Sequence, residues 1–414
     1  MQRASRGQIF AWTLFDFANT GFLVIIVTLI FPVYFTDVIA GGNEDYWGWT
    51  ISASMLVTAL IGPLLGSIAD ATSRKKRFLG VFTAACVIAT VGLYFTGPGT
   101  ILLAATLLVI ANVGFEGGTI FYDAFLPELV PETDYGRVSG YGFAMGYLGS
   151  LISLALAIPL VPEAGITDPA TRNTFLLAAA FFGLFSLPLF LNVRERTSAH
   201  RFHGDPLREG YRRLRETITH IRRYDDVKRF LLAFFVYNDS ILTVIVFAGI
   251  FASKELAMSF TELILFFMIV QGSALVGSLV FGALTNRLGA RQTIIVTLLI
   301  WVAVVIGAYF VTTSTAFFVV GALAGMALGS SQSTSRTMMA LLTPPDKKTE
   351  FFGFYDGFFG KASAMIGPAV FGVVSSAYGI RSAMLVVGVF FLVGIALVLR
   401  VRDARPSPEP AAST

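Results

Sequence analysis

After its second long apolar run the chain reads Gly66-Ser67-Ile68-Ala69-Asp70-Ala71-Thr72-Ser73-Arg74-Lys75-Lys76-Arg77, and after its eighth it reads Gly282-Ala283-Leu284-Thr285-Asn286-Arg287-Leu288-Gly289-Ala290-Arg291. Gly66 and Asp70 in the first copy stand where Gly282 and Asn286 stand in the second. Each copy is a short basic connection between two apolar runs. A connection that returns six runs later divides the chain into two related halves, a hallmark of membrane transporters.

Outward from these copies, apolar segments fall at about 9–36, 46–69, 78–96, 100–126, 137–160 and 173–193, and again at about 230–253, 260–284, 292–312, 315–341, 351–377 and 381–400. A hydrocarbon core of about 30 Å needs about 20 residues of helix, so these are roughly twelve membrane spans. Composition agrees: of 414 residues 55% are hydrophobic and 14% charged, against about 25% charged in soluble domains. The mean hydropathy is +0.73. Such a chain cannot cover a water-soluble surface. The expected fold is an all-α integral membrane protein of two pseudo-symmetric six-helix bundles. The expected domains are residues 1–193 and 230–400, joined by a cytoplasmic linker at 194–229 and followed by a disordered cytoplasmic tail at 401–414, whose Pro-rich polar end from Ala404 cannot build a core.

The charges give an orientation. Arg3, Arg6, Arg74, Lys75, Lys76, Arg77, Arg137, Arg287, Arg291, Lys347, Lys348, Arg400, Arg402 and Arg405 fall on one side, with eleven more Lys and Arg in 194–229. The other side has Arg172, Lys254 and Arg381. By the positive-inside rule both termini and the linker are cytoplasmic. The same distribution argues against nucleic acid as the partner of a chain with net charge +4. In the linker Leu207, Tyr211, Leu214, Ile218 and Ile221 recur at helical spacing, arginines fill the other faces, and Glu209 stands four residues before Arg213. Two readings stand: an amphipathic helix on the inner membrane surface, or a solvated tether.

The pattern G-x-x-x-D-x-x-G-R-K/R-K/R between the second and third spans resembles the signature of the major facilitator superfamily. This copy departs from it, with Ala71 for the usual basic residue and Ser73 for the glycine. The resemblance implies a cytoplasmic gate at Gly66, Asp70 and Arg74, in which Asp70 bridges the halves when the protein faces outward. Gly282, Asn286 and Arg287 form its weaker counterpart. Four further segments resemble one branch, the autophagy-linked vacuolar effluxer-like group. They are Phe15-Asp16-Phe17-Ala18-Asn19-Thr20-Gly21-Phe22; Arg137 to Gly149; Gln332-Ser-Thr-Ser-Arg336; and Phe351-Phe-Gly-Phe-Tyr-Asp356 with Gly360-Lys361-x-Ser363 and Gly367-Pro368. This likeness spans about residues 8–400 and implies amino-acid release across a membrane.

Charge at bilayer depth costs about 2.5–3.5 kcal/mol on insertion scales, so such residues face a partner or a wet cavity. The first span carries Asp16 and Asn19, the fourth Asn112, Glu116 and Asp123, the seventh Asn238 and Asp239, the tenth Gln332 and Arg336, and the eleventh Asp356 and Lys361. Spans one, four, seven and ten are equivalent under the repeat, and in the superfamily that the chain resembles they line the central cavity. Asp16, Asn19, Asn112, Glu116, Asn238, Asp239, Gln332, Arg336 and Lys361 are therefore the candidate substrate or proton cavity. Asp16 and Asp239 read either as sites for an amine or proton or as helix-end carboxylates. Arg336 and Lys361 read either as anchors for a substrate carboxylate or as members of internal ion pairs, Lys361 with Asp356 or Arg336 with a carboxylate across the cavity. Asp123, near the cytoplasmic end, is expected to pair with Arg74 in the gate.

Other apparent signals carry no chemistry. Around Gly357-Phe-Phe-Gly360-Lys361 a phosphate loop would need glycine where Tyr355 stands and Ser or Thr where Ala362 stands. Gly140-x-Gly142-xxx-Gly146, Gly62-xxx-Gly66, Gly114-xxx-Gly118 and Gly321-xxx-Gly325-xxx-Gly329 read as close helix packing. Cys86 is alone and forms no intramolecular disulfide, and His200 and His203 lack further ligands at metal spacing. Metal, cofactor and enzymatic chemistry are not expected, and the thirty-nine phenylalanines need only lipid and packing to explain them. The first run carries Asp16 and Asn19 and no cleavage site follows it, so it reads as a span and not a signal peptide.

The expected function is secondary transport of a small solute by alternating access, as a proton-coupled export of amino acids. Efflux of drugs or organic ions is one alternative, a non-transporting membrane sensor another. The partners expected are a small-molecule substrate, the bilayer and protons, with a monomeric protein in a bacterial inner membrane.

Overall fold

A computed structural model describes residues 4–162, 165–195, 205–363 and 366–403. His200, His203 and the tail from residue 404 lie outside the described residues. Among the described residues, twelve helices are long and apolar enough to cross a membrane and no strand occurs. The protein is an integral, multi-pass membrane protein. In the first half α1 spans Arg6–Ile39 and α2 Asp45–Thr72. They are followed by α3 Lys75–Leu93, α4 Ile101–Asp123, α5 Tyr135–Ala157 and α6 Asn173–Asn192. A short helix, α7 (Pro206–Thr219), separates the halves. The second half comprises α8 Asp225–Leu256, α9 Phe260–Leu288, α10 Ala290–Phe310 and α11 Ser314–Leu342. It ends with α12 Pro345–Tyr378 and α13 Ile380–Val398. Because each half has an even number of spans, α1 begins and α13 ends on one side, here the basal face.

Local rules account for the helix ends. Ser5 and Ser259 start α1 and α9 with reciprocal capping boxes involving Gln8 and Glu262. Three stretches are wound as π-helix: Leu23–Leu29 and Tyr34–Ile39 in α1, and Gly353–Phe359 in α12. Between the first two lies Pro32, which has no N–H to give to the ladder. Such turns accommodate an extra residue and gather at functional sites.

The halves meet along two equivalent seams, α2 against α12 and α5 against α9, with α11 also touching α5. Glycine sets their closeness. A Cβ on Gly66 would collide with the Thr349 carbonyl of α12, and one on Gly140 with the Ser278 carbonyl of α9. The small-residue stripes thus pack helices, as their spacing predicts.

The linker helix is neither a loose tether nor simply laid on a surface. Asp205 caps it at the Leu207 amide, and its Gly210 lies on Ile68 of α2, where Ser67 donates to the Gly210 carbonyl at 2.6 Å. On the second half, Lys347 donates to the buried Thr217 at 2.6 Å. Leu207, Tyr211 and Ile218 stay exposed on the opposite face. The expected Glu209–Arg213 pair forms at 3.0 Å, and Arg212 joins it at 2.6 Å. Hydrogen bonding to the Arg212 guanidinium, with Arg213 beside it, lowers the Glu209 carboxyl to about 2.

Candidate functional site

At the centre Arg336 of α11 is 1% exposed, and every one of its partners belongs to the other half. Its Nη1 donates to Asp123 Oδ1 of α4 at 2.7 Å and to Asp16 Oδ2 of α1 at 3.3 Å. Nη2 donates to Asp16 Oδ2 at 3.3 Å and to the Ser139 carbonyl of α5 at 2.9 Å, and Nε to Ser139 Oγ at 3.0 Å. Tyr122 Oη adds a bond to Asp16 Oδ2 at 2.7 Å. Aromatic faces enclose the guanidinium: Phe143 lies 4.1 Å away, Trp12 5.1 Å and Tyr122 5.7 Å. Only a planar fork of five donors satisfies so many directions at once.

A second cross-half pair lies above it, Lys361 Nζ of α12 to Glu116 Oε2 of α4 at 2.5 Å. Tyr147 Oη of α5 donates to Gln332 Oε1 of α11 at 2.5 Å. These groups line one cavity of about 600 Å³ together with Asn19, Asn238 and Asp356. Its floor is the Arg336 cluster. Its walls are apolar, and it continues along α1 to Thr28 and Leu29, roughly 18 Å beyond Asp16 at the helical rise.

On the basal side the floor is sealed by two matched contacts. Asp70 accepts from the amides of Thr349 at 3.1 Å and Glu350 at 2.8 Å, at the start of α12. Asn286 Oδ1 accepts from the Arg137 amide at 3.2 Å, at the start of α5. Each half therefore caps a helix of the other.

A family model described as vacuole effluxer Atg22 like matches residues 44–409. The chain belongs to this Atg22-like family. It is 32% identical to the uncharacterized MFS-type transporter YxiO of Bacillus subtilis (strain 168), over 95% of this chain and 94% of that one. It is 25% identical to Autophagy-related protein 22-1 of Penicillium rubens, over 89% and 79% of the two chains. Among solved structures, the human organic anion transporter MFSD10 superposes with a TM-score of 0.76 at 13% identity, covering 96% of this chain and 100% of that one. FucP in the outward conformation gives 0.72 at 15% identity, covering 96% and 98%. The fold is that of the major facilitator superfamily, and this Atg22-like protein is a secondary transporter, not an enzyme.

Within this Atg22-like cavity the predicted residues divide. Asp16, Asn19, Glu116, Asn238, Gln332, Arg336 and Lys361 share it. Asp239 does not reach it: its Oδ1 accepts from the Gly367 amide at 2.9 Å, where α12 resumes. Asn112 is also withdrawn, its amide donating to Ser54 of α2 at 2.7 Å. Both stand on spans that line the cavity but face neighbouring helices. Asp123 pairs with Arg336 and not with Arg74, since its side chain points inward to the floor. Arg74 and Arg287 are exposed, so Asp70 and Asn286 carry the basal contacts through backbone amides. Lys361 takes Glu116 and not Asp356 as its partner. Sequence reasoning left out Tyr122, Ser139 and Tyr147. It also gave the phenylalanines lipid-facing and packing roles, whereas Phe143, with Trp12 and Tyr122, encloses Arg336. Tyr147 and Ser139 sit in the segment that carries the family likeness, which was the available signal.

Proposed function

We propose that this transporter exports amino acids by alternating access and exchanges them for protons. What supports this reading is a single cavity lined by both signs of charge, with carboxylates for an ammonium group and guanidinium and ammonium groups for a carboxylate. Its volume of about 600 Å³ suits a small solute, since ligand pockets run from about 300 to 1,000 Å³. Efflux is the activity in the family's description, and an amino acid is the substrate that the fungal likeness suggests. Four cavity carboxylates, Asp16, Glu116, Asp123 and Asp356, face two cations, Arg336 and Lys361. That excess of acid favours a proton as the coupling ion and disfavours an organic anion as cargo. The basal face is cytoplasmic on this reading, in keeping with its Lys and Arg, and the membrane is a bacterial inner membrane.

Uptake of a radiolabelled amino-acid mixture into proteoliposomes, with and without an imposed proton gradient, tests the proposal. Gradient-stimulated uptake in wild type, lost in Arg336→Gln, is the expected result. Gradient-independent uptake removes the proton, and no uptake by folded wild type removes the amino acid and directs the search to an unbiased metabolite screen.

A further inference from the structure

Asp356 is the cavity carboxylate that none of the contacts above uses. It lies in the π-helical stretch of α12, which is wedged between the halves. Gly357 faces Gly62 of α2 and Ile120 of α4, and the Tyr355 ring packs at a tilt against Phe234 of α8 with centroids 4.3 Å apart. The Asp356 Oδ2 is closed to solvent and has no hydrogen-bond donor among the described residues. The charged groups around it are Asp123 and Glu116 of α4, Arg336 of α11, and Lys361 of its own helix. Facing stretches of α2 carry no charge, and Asp239 of α8 is held at Gly367.

Counting partners settles the charges. Arg336 already serves Asp16 and Asp123. Lys361 serves Glu116. Among the described residues no cation is left for Asp356, and a buried carboxylate without a partner neutralises by taking up a proton. Lys361, in the same cavity, is the cation placed to change this. The π stretch closes with the Gly360 amide on the Tyr355 carbonyl, and Lys361 stands five residues beyond Asp356 in the short α-helical turn Gly360–Ala362 that follows, where its charge acts on Asp356 across the same cavity.

Resting on the proton-coupled reading above, we infer that Lys361 alternates between Glu116 and Asp356, and that this alternation makes the proton and the substrate ammonium mutually exclusive. When Asp356 holds the proton, Lys361 occupies Glu116 and ties the two halves together. When Asp356 releases it to the cavity, the carboxylate draws Lys361 away, the cross-half pair opens, and Glu116 is free for an ammonium group. Reprotonation returns Lys361 to Glu116 and expels the cargo. One proton in and one cargo molecule out is an exchange, and no bond other than the O–H bond of Asp356 is made or broken.

Infrared spectroscopy of the full-length protein in proteoliposomes tests this without any substrate. Wild type is expected to show a protonated-carboxyl C=O band that shifts in D2O. Asp356→Asn lacks it, and Asp356→Glu, which keeps the carboxyl, retains it. Glu116→Gln loses the band at a pH where wild type still has it, because Lys361 is then free to neutralise Asp356. The same band in Asp356→Asn overturns the assignment, and an undiminished band in Glu116→Gln overturns the exchange. In the amino-acid uptake assay, the ratio of rates with and without the gradient falls to unity in Asp356→Asn and recovers in Asp356→Glu. A wild-type ratio of unity sinks proton coupling itself and the exchange with it. A wild-type ratio kept in Asp356→Asn sinks only the role of Asp356.

Discussion

Arg336 ties one half to the other through three helices, and its surroundings leave no slack. Gly142 of α5 passes so close that a Cβ would stand 2.5 Å from Asp16 Oδ2 and 2.7 Å from Arg336 Nη2. Gly142→Ala must push one of these groups aside. Breaking a buried ion pair costs about 3–5 kcal/mol, so uptake is expected to drop by at least tenfold while the protein still elutes as a folded species on size exclusion. Asp239 calls for a different outcome. Its carboxylate caps the resumed part of α12, so Asp239→Asn, which keeps an acceptor, is expected to transport. Asp239→Ala is expected to lose about 1 kcal/mol of stability, read as a lower melting temperature. The sequence made Asp16, Glu116, Arg336 and Lys361 legible because a charge in the bilayer is costly enough to stand out alone. It left their partners hidden, since Arg336 and Asp16 are 320 positions apart. Asn112 and Asp239 looked like cavity residues for the same reason: depth in the membrane is written in the chain, but the direction a side chain faces around the helix is fixed by its neighbours.

Among the elements, the two repeated connections turned out to act on helices of the opposite half. Asp70 accepts two backbone bonds through a carboxyl group that can ionise, whereas Asn286 accepts one through a neutral amide. Hydrogen bonds to charged groups contribute about 1.5–3 kcal/mol each and neutral ones about 1. Asp70→Ala is therefore expected to favour opening of the basal side by tenfold or more, since about 1.4 kcal/mol is a factor of ten. Asn286→Ala is expected to do so several-fold less. Distances between spin labels on the α2–α3 connection and the start of α12 measure both. The repeat itself was plain from Gly66, Asp70, Gly282 and Asn286. The contacts of α7 were not, because its hydrophobic spacing pointed to Leu207 and Tyr211, while the docking runs through Gly210 and Thr217, two residues whose smallness carries no pattern.

For the molecule as a whole, transport requires the seams at the basal face to part in every cycle. Cys86 is the only cysteine and is buried, so a new pair is easily read. Gly136→Cys with Thr285→Cys joins α5 to α9, where a Cβ on Gly136 would stand 2.8 Å from the Thr285 Cβ; a small parting of the helices reaches disulfide spacing of about 3.5–4.5 Å. Oxidation is expected to stop uptake and reduction to restore it. Free transport under oxidation would mean that these helices never separate. The crossed caps have one more implication. In this state α12 is capped by Asp70 and α5 by Asn286, so each half holds an acceptor that the other needs. If the chain were severed between α6 and α7, the two fragments would each carry unfinished helices, and each would be the other's missing piece. Made together as separate polypeptides, they have a physical reason to find one another in the bilayer and rebuild the carrier; made singly, neither does.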